Sequence, residues 1–120
     1  MRTILLVDDE PNLRHLVRTT LDESDYRILE AADGAAALEV TKIERPELIL
    51  LDWMMPEVSG IDVLKELRAN PATASLPVVM LTAKGQEADR QQALALGVQA
   101  FLIKPFSPLE LLSRVEELLT

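Results

Sequence analysis

Polar residues stand where short apolar runs end. Asp8 and Asp9 follow Ile4-Leu5-Leu6-Val7, Asp52 follows Leu48-Ile49-Leu50-Leu51, Thr82 follows Val78-Val79-Met80-Leu81, and Lys104 follows Ala100-Phe101-Leu102-Ile103. If these residues converge, their chemistry is specific. Carboxylates about 4 Å apart repel by roughly 4 kcal/mol per pair at an effective dielectric near 20. A hard divalent cation and a lysine ammonium can offset that repulsion. Oxygen ligands, some of them water, favour Mg²⁺ or Mn²⁺ over zinc. A carboxylate beside such a cation can attack phosphorus and form an aspartyl phosphate. The metal and the lysine then stabilise charge on the transferring oxygens, and a threonine hydroxyl can donate to one of them.

Each residue also has an ordinary reading. An Asp after a strand is commonly a cap or turn former, and Pro11 suits Asp9 and Glu10 to the start of a helix. Thr82 alone would be an N-cap or strand residue, and Lys104 alone a solvated side chain. What points to a common site is that four of the five apolar runs end in these types.

Those runs alternate with segments of helical period. Ile4–Val7 reads as a buried strand, followed by a helix over Pro11–Glu23 with Leu13, Leu16, Val17 and Leu21 on one face. Tyr26–Ala31 is a weaker strand, and Gly34–Ile43 places Ala35, Leu38 and Ile43 at helical spacing. Leu48–Leu51 is uniformly apolar, as befits a strand covered on both faces. Ile61–Ala69 is a helix facing inward through Ile61, Val63, Leu64 and Leu67, and Asn70-Pro71 stops it because a residue before proline avoids helical geometry. Val78–Leu81 is the fourth strand, Glu87–Leu96 the fourth helix with Gly97 as C-cap, and Ala100–Ile103 the fifth strand. Ser107-Pro108-Leu109-Glu110 opens the last helix as a capping box.

Such alternation predicts an α/β, doubly wound (βα)₅ sandwich: a parallel sheet with helices on both faces, joined by right-handed crossovers. In these folds ligands bind outside the carboxyl ends of the strands, where the winding reverses. Should the first and third strands meet there, Asp8, Asp9 and Asp52 converge, flanked by Thr82 and Lys104.

Composition narrows the remaining choices. One domain over residues 1–120 fits the length, and a 48% apolar chain can bury an ordinary core. Cysteine is absent, which excludes disulfides and thiolate metal sites and suits a reducing cytosol. Twelve basic against twenty acidic residues leave a net charge of −8, so no direct nucleic-acid binding is expected. No run reaches the ~20 apolar residues of a membrane span, and the start reaches acids too soon for a signal peptide. A cytoplasmic protein is the expectation.

The same residues resemble the receiver family of two-component response regulators. The resemblance spans essentially the whole chain. It rests on Asp8-Asp9, on Leu50-Leu51-Asp52-Trp53-Met54-Met55-Pro56 with Ser59-Gly60, on Leu81-Thr82-Ala83, and on Lys104-Pro105-Phe106. It implies a flavodoxin-like fold with strand order 2-1-3-4-5, phosphorylation of Asp52 by a sensor histidine kinase or a histidine phosphotransfer protein, and slow loss of the phosphoryl group. By the same resemblance, Asp9, Asp52 and the Met54 backbone carbonyl would contact Mg²⁺ directly, and Asp8 would act largely through water. Lys104 would pair with the acids and then with phosphate. Thr82 and Phe101 would form the switch, and the Lys104-Pro105 bond would be cis. Met54 and Lys84 occupy the places where the family tunes phosphate lifetime.

Within the family the motifs look most like receivers of winged-helix transcription regulators, which implies a possible homodimer through the fourth helix, fifth strand and fifth helix. Gln99 and Ala100 stand where such receivers carry an acidic pair used in dimer ion pairs. The chain carries no output domain, which fits either a stand-alone regulator or a piece of a longer protein.

Three other readings fit less well. An aspartate-nucleophile phosphatase would want Asp-x-Asp after the first strand, where Asp8-Asp9-Glu10 stands. A flavin carrier would want a Ser/Thr/Gly-rich loop there and more aromatics than 3%. A non-phosphorylated pseudo-receiver would not need the full polar set. Met54, Met55 and Met80 read as core or loop fillers, and His15 is assigned no chemistry.

Overall fold

The computed structural model describes residues 2–22, 26–55, 57–83 and 90–119. Its elements are β1 (Arg2–Val7), α1 (Pro11–Asp22), β2 (Tyr26–Ala31), α2 (Gly34–Glu44), β3 (Leu48–Asp52), α3 (Gly60–Ala69), β4 (Val78–Ala83), α4 (Arg90–Ala95), β5 (Ala100–Lys104) and α5 (Pro108–Leu119). The strands form one parallel sheet in the order β2-β1-β3-β4-β5. The chain winds outward from β1 to β2, then returns past β1 to β3, so the reversal lies between β1 and β3.

Side chains alternate across a strand, and the two faces therefore build two cores. Ile4, Leu6, Leu48, Leu50, Val79, Leu81 and Leu102 pack with Val17 and Leu21 of α1 and with Leu111, Val115 and Leu119 of α5. Leu5, Val7, Ile49, Leu51, Val78 and Met80 pack with Ala37, Val63, Leu64, Leu67 and Ala93 from α2, α3 and α4. Each fully buried aliphatic side chain contributes roughly 1.5–3 kcal/mol, which holds the sheet rigid beneath the strand tips.

Local signals end the helices. Asp33 accepts from the Ala36 N–H at 2.8 Å to cap α2, and Ser59 accepts from the Asp62 N–H at 3.4 Å to cap α3. The Ser107 hydroxyl accepts from the Glu110 N–H at 3.1 Å, the forward half of the expected capping box. Gly97, at φ 76°, lets the Val98 N–H reach back to the Ala93 carbonyl and close α4 in a Schellman turn. Asn70 leaves helical geometry before Pro71, as its position predicts.

Several expectations need correction. Leu16 is 40% exposed, because at 100° per residue it falls ~60° to one side of Leu13 while Val17 and Leu21 fall on the other. On α2 the inward stripe is Gly34, Ala37 and Thr41, whereas Ala35 and Ile43 face solvent. The helix lies so close to its neighbours that a Cβ on Gly34 would sit 2.9 Å from Val58 and Val63 side chains, so small residues point inward. Strand limits also move. The first strand starts at Arg2, since Arg2 and Thr3 pair with Tyr26 and Arg27. Asp52, Thr82 and Lys104 belong to their strands instead of following them. The first helix is described to Asp22 and the fourth from Arg90, so Glu23 and the stretch from Glu87 to Asp89 lie outside the described residues. Among the described residues, no helix is long and apolar enough to cross a membrane.

Candidate functional site

The tips of β1 and β3 meet at the winding reversal, and the Lys104 side chain reaches them from β5, across β4. The Asp8 N–H donates to the Ala31 carbonyl at 3.1 Å, which extends the β1–β2 ladder by one rung and leaves the Asp8 carboxylate fully buried. One of its oxygens accepts from the Glu10 N–H at 2.8 Å, and the other accepts from Lys104 Nζ at 2.9 Å. Asp52 is the last residue of β3 and only 4% exposed, and its Oδ1 accepts from the same ammonium at 3.1 Å. Asp9 is exposed, yet Asp8, Asp9 and Asp52 each bring a carboxylate oxygen within 4.8 Å of the others.

Two of the three acids share one ammonium, and Asp9 adds a third negative charge without a contact to it. At that separation each carboxylate pair repels by roughly 3–4 kcal/mol at an effective dielectric near 20. Asp52 shows the consequence: burial first, then the charge of Asp8, lift its pKa from 3.8 to about 6, despite the opposing pull of Lys104. The Lys104 ammonium shifts the other way from what burial alone would do. Hydrogen bonds to Asp8 and Asp52 outweigh its desolvation and raise its pKa. A cluster of hard oxygen donors with excess negative charge, two members buried and one open to water, suits a small hydrated divalent cation.

A close backbone approach supports this tip. The Gly60 N–H donates to the Trp53 carbonyl at 2.8 Å, and any Cβ at Gly60 would collide with the Asp52 carbonyl oxygen. Trp53 is buried, and its N–H donates to the Leu81 carbonyl at 2.9 Å, carrying the β3–β4 ladder past Asp52. Met54 stands in the following loop with its side chain 64% exposed. Met80 alone of the candidate fillers is fully buried.

Thr82 is buried near the end of β4, and its register partner is Ile103. Because Asp52 pairs with Leu81, alternation puts Thr82 on the opposite face from Asp52 and Lys104. Phe101 pairs with Met80, so it shares the Thr82 face. Its ring is half-buried beneath the Arg90 guanidinium, 4.7 Å from ring centroid to Cζ, a cation–π contact that ties the start of α4 to β5. The Lys104–Pro105 peptide bond is cis. Lys84 lies outside the described residues.

Sequence reasoning does not reach several arginines that organise this region. Arg14 Nη1 donates to the Asp8 carbonyl at 2.7 Å. Arg68 donates to the Leu96, Gly97, Leu76 and Thr73 carbonyls at 2.6, 3.1, 2.8 and 3.4 Å, joining α3 to the end of α4. On a helix such residues look like solvated charges, and only tertiary neighbours reveal their targets. A cavity of about 730 Å³ between α2 and α3, lined by Leu38, Thr41, Lys42, Arg45, Leu67 and Leu76, contains none of the polar strand-tip residues. The acid cluster lies instead at the strand tips.

Comparison with known proteins agrees with this geometry. Residues 4–116 match the model of the response regulator receiver domain family. The phosphate regulon transcriptional regulatory protein PhoB of Pseudomonas aeruginosa is 42% identical over 118 residues, covering 98% of this chain and 52% of that protein. The alkaline phosphatase synthesis transcriptional regulatory protein PhoP of Bacillus subtilis is also 42% identical, over 98% of this chain and 48% of its own. This chain thus spans about half the length of the curated relatives it matches. Among solved structures, the chemotaxis protein CheY4 of Vibrio cholerae superposes with a TM-score of 0.92 at 33% identity, covering 99% of both chains. A signal receiver domain of a histidine kinase from Syntrophus aciditrophicus gives 0.91 at 30% identity, over 99% of this chain and 90% of that one.

Proposed function

Since this chain belongs to the response regulator receiver domain family of two-component signalling, we propose that its residues 1–120 act as one receiver domain whose Asp52 carboxylate accepts a phosphoryl group. The observation that carries this reading is the Lys104 ammonium bridging Asp8 and Asp52, with Asp9 within 4.8 Å, at the tips of β1 and β3.

The Asp52 oxygen attacks phosphorus in line. In transfer from a histidine kinase or phosphotransfer protein, the P–N bond breaks and the departing imidazole keeps its electron pair and takes a proton. With its pKa near 6, Asp52 is mostly ionised at neutral pH and so competent as the nucleophile. Bound Mg²⁺, or Mn²⁺ in its place, would neutralise charge on the transferring oxygens. Asp9, Asp52 and the Met54 carbonyl would hold the ion, with Asp8 acting through water. Lys104 moves from carboxylate to phosphoryl oxygen.

Phosphorylation turns a monoanion into a near-dianion with new acceptor oxygens. Thr82 then turns toward them, and Phe101, which shares its face, moves inward. The responding surface is the stretch from Glu87 to Leu96 with β5 and α5. Moving a 1:99 equilibrium to 99:1 needs about 5.5 kcal/mol of differential stabilisation. A few charge-assisted hydrogen bonds at about 1.5–3 kcal/mol each supply it. The same surface is the proposed homodimer face, and a transcriptional output in the cytoplasm is the proposed readout. Neither Met54 nor Lys84 readily holds an attacking water, so loss of the phosphoryl group is slow; a radiolabel chase that empties within seconds contradicts this.

The test is incubation with acetyl phosphate and Mg²⁺, read by intact mass, for wild type and Asp52→Asn. A gain of one phosphoryl group in the wild type alone supports the assignment. Equal labelling of both proteins, or of neither, overturns it.

A further inference from the structure

Asp9 poses a physical problem. Its carboxylate is exposed, and among the described residues it has no hydrogen-bond or ion-pair partner, yet it stays within 4.8 Å of two other acids that repel it. Nothing on its side chain keeps it there, so its backbone must. The two peptide units that flank the Asp9 Cα are both tied down. The Asp9–Glu10 unit is held by its Glu10 N–H, which donates to the Asp8 carboxylate at 2.8 Å. The Asp8–Asp9 unit is held by its carbonyl, which accepts from Arg14 Nη1 at 2.7 Å. Because peptide units are planar, fixing those two groups limits the directions in which the Asp9 side chain can leave.

Arg14 is itself braced. Its backbone N–H donates to the Glu10 carbonyl at 3.1 Å, so it grips the β1–α1 turn from both sides of Asp9. Its Nε donates to Glu30 of β2 at 3.2 Å. The other Glu30 oxygen accepts from Arg18 Nε at 2.8 Å, and Arg18 Nη2 donates to the Ile28 carbonyl at 3.0 Å. A planar guanidinium can point one N–H at a carboxylate and another at a carbonyl in fixed directions, which a lysine ammonium does not do. We propose that Arg14, braced by Glu30, is a positioning residue that aims Asp9 at the divalent cation. This rests on the receiver reading above, which makes Asp9 a metal ligand.

The sign of one measurement separates positioning from simple charge. Arg14 is a cation beside three acids, so as a charge alone it repels Mg²⁺, and its removal tightens binding. As a positioning residue, its removal weakens binding, in the manner of groups that orient metal ligands, where losses of about 10–100-fold are typical.

The experiment titrates Mg²⁺ by calorimetry into wild type, Arg14→Met, Glu30→Gln and Arg27→Met. Arg27 pairs with Glu44 near the start of β2, away from the acids, so Arg27→Met removes the same charge without touching the turn. We expect affinity to fall about tenfold or more in Arg14→Met, to fall less in Glu30→Gln, and to stay unchanged in Arg27→Met. If Arg14→Met fails to fold, as melting in EDTA would reveal, Arg14→Lys, titrated in the same way, decides alone. It keeps the charge and loses only the fixed directions of the guanidinium, so a fall in affinity reports positioning. Unchanged or tighter binding in the decisive variant, or an equal loss in Arg27→Met, overturns the proposal. A wild type that binds no Mg²⁺ overturns the receiver reading itself, a distinct result.

Discussion

The metal-free site should destabilise the fold through Asp52, and replacing it with Asn should relieve the strain in a pH-dependent way. In the folded chain the Asp52 pKa stands near 6 against an ordinary 3.8. A pKa raised by folding means that the native state binds the proton more tightly than the unfolded state. Stability therefore falls as pH rises from the unfolded value through the folded one, and the whole penalty is present above about pH 6. At 1.36 kcal/mol per tenfold change in proton affinity, the full penalty is roughly 3 kcal/mol. Near pH 5 about half of it is already relieved by protonation, so roughly 1.4 kcal/mol should separate pH 5 from pH 8. Asn cannot ionise, and the other groups are common to both proteins. The stability difference between Asp52→Asn and wild type should thus shift toward wild type by about 1.4 kcal/mol between pH 8 and pH 5. Urea unfolding in EDTA at several pH values measures it. A difference that does not change with pH, or that changes in the opposite direction, refutes the account of Asp52 as a buried, repelled carboxylate.

Lys104→Met leaves buried Asp8 and Asp52 without their cation, so its stability in EDTA should drop by several kcal/mol. Mg²⁺ should still bind and restore part of it, and a melt unmoved by Mg²⁺ would show that Lys104 is needed for metal binding. Gly60→Ala should cost at least about 2 kcal/mol, because its Cβ meets the Asp52 backbone carbonyl and no flexible side chain can yield; a wild-type midpoint in urea would count against this. Arg68→Met should cost about 3 kcal/mol by removing the donors to carbonyls on the α3–β4 connection and the end of α4. Amide exchange at Gly97 and Val98 should rise with it.

Much of the site is legible in the residues themselves. Uniform apolar runs mark buried parallel strands because both faces of each strand are covered, and a polar residue at the tip of such a run has only the sheet edge to occupy. That is why Asp8, Asp52, Thr82 and Lys104 stand out before any coordinates. Ser107 announces a helix start, and Asn70-Pro71 and Gly97 announce helix ends, because these are local hydrogen-bonding and torsional preferences. Periodicity is less dependable for α2. Leu38 packs against the core as its spacing suggests, but Ala35 and Ile43 face solvent, since the distance between α2 and its neighbours selects Gly34, Ala37 and Thr41 for the innermost face.

Other features depend on residues distant along the chain. The pKa of Asp52 needs Asp8 and Lys104, brought together from separations of 44 and 52 positions. The contacts of Arg14 with Asp8 and Glu30, of Arg68 with the end of α4, and of Arg90 with Phe101 join elements whose mutual orientation no local signal encodes. Sequence by itself determines which residues are buried strand, helix terminus or polar tip, because backbone torsion and hydrophobic period act over a few residues. Tertiary structure alone decides which charges meet and how strongly they perturb one another, because Coulomb and hydrogen-bond energies depend on distances of a few ångströms that only the packed sheet creates.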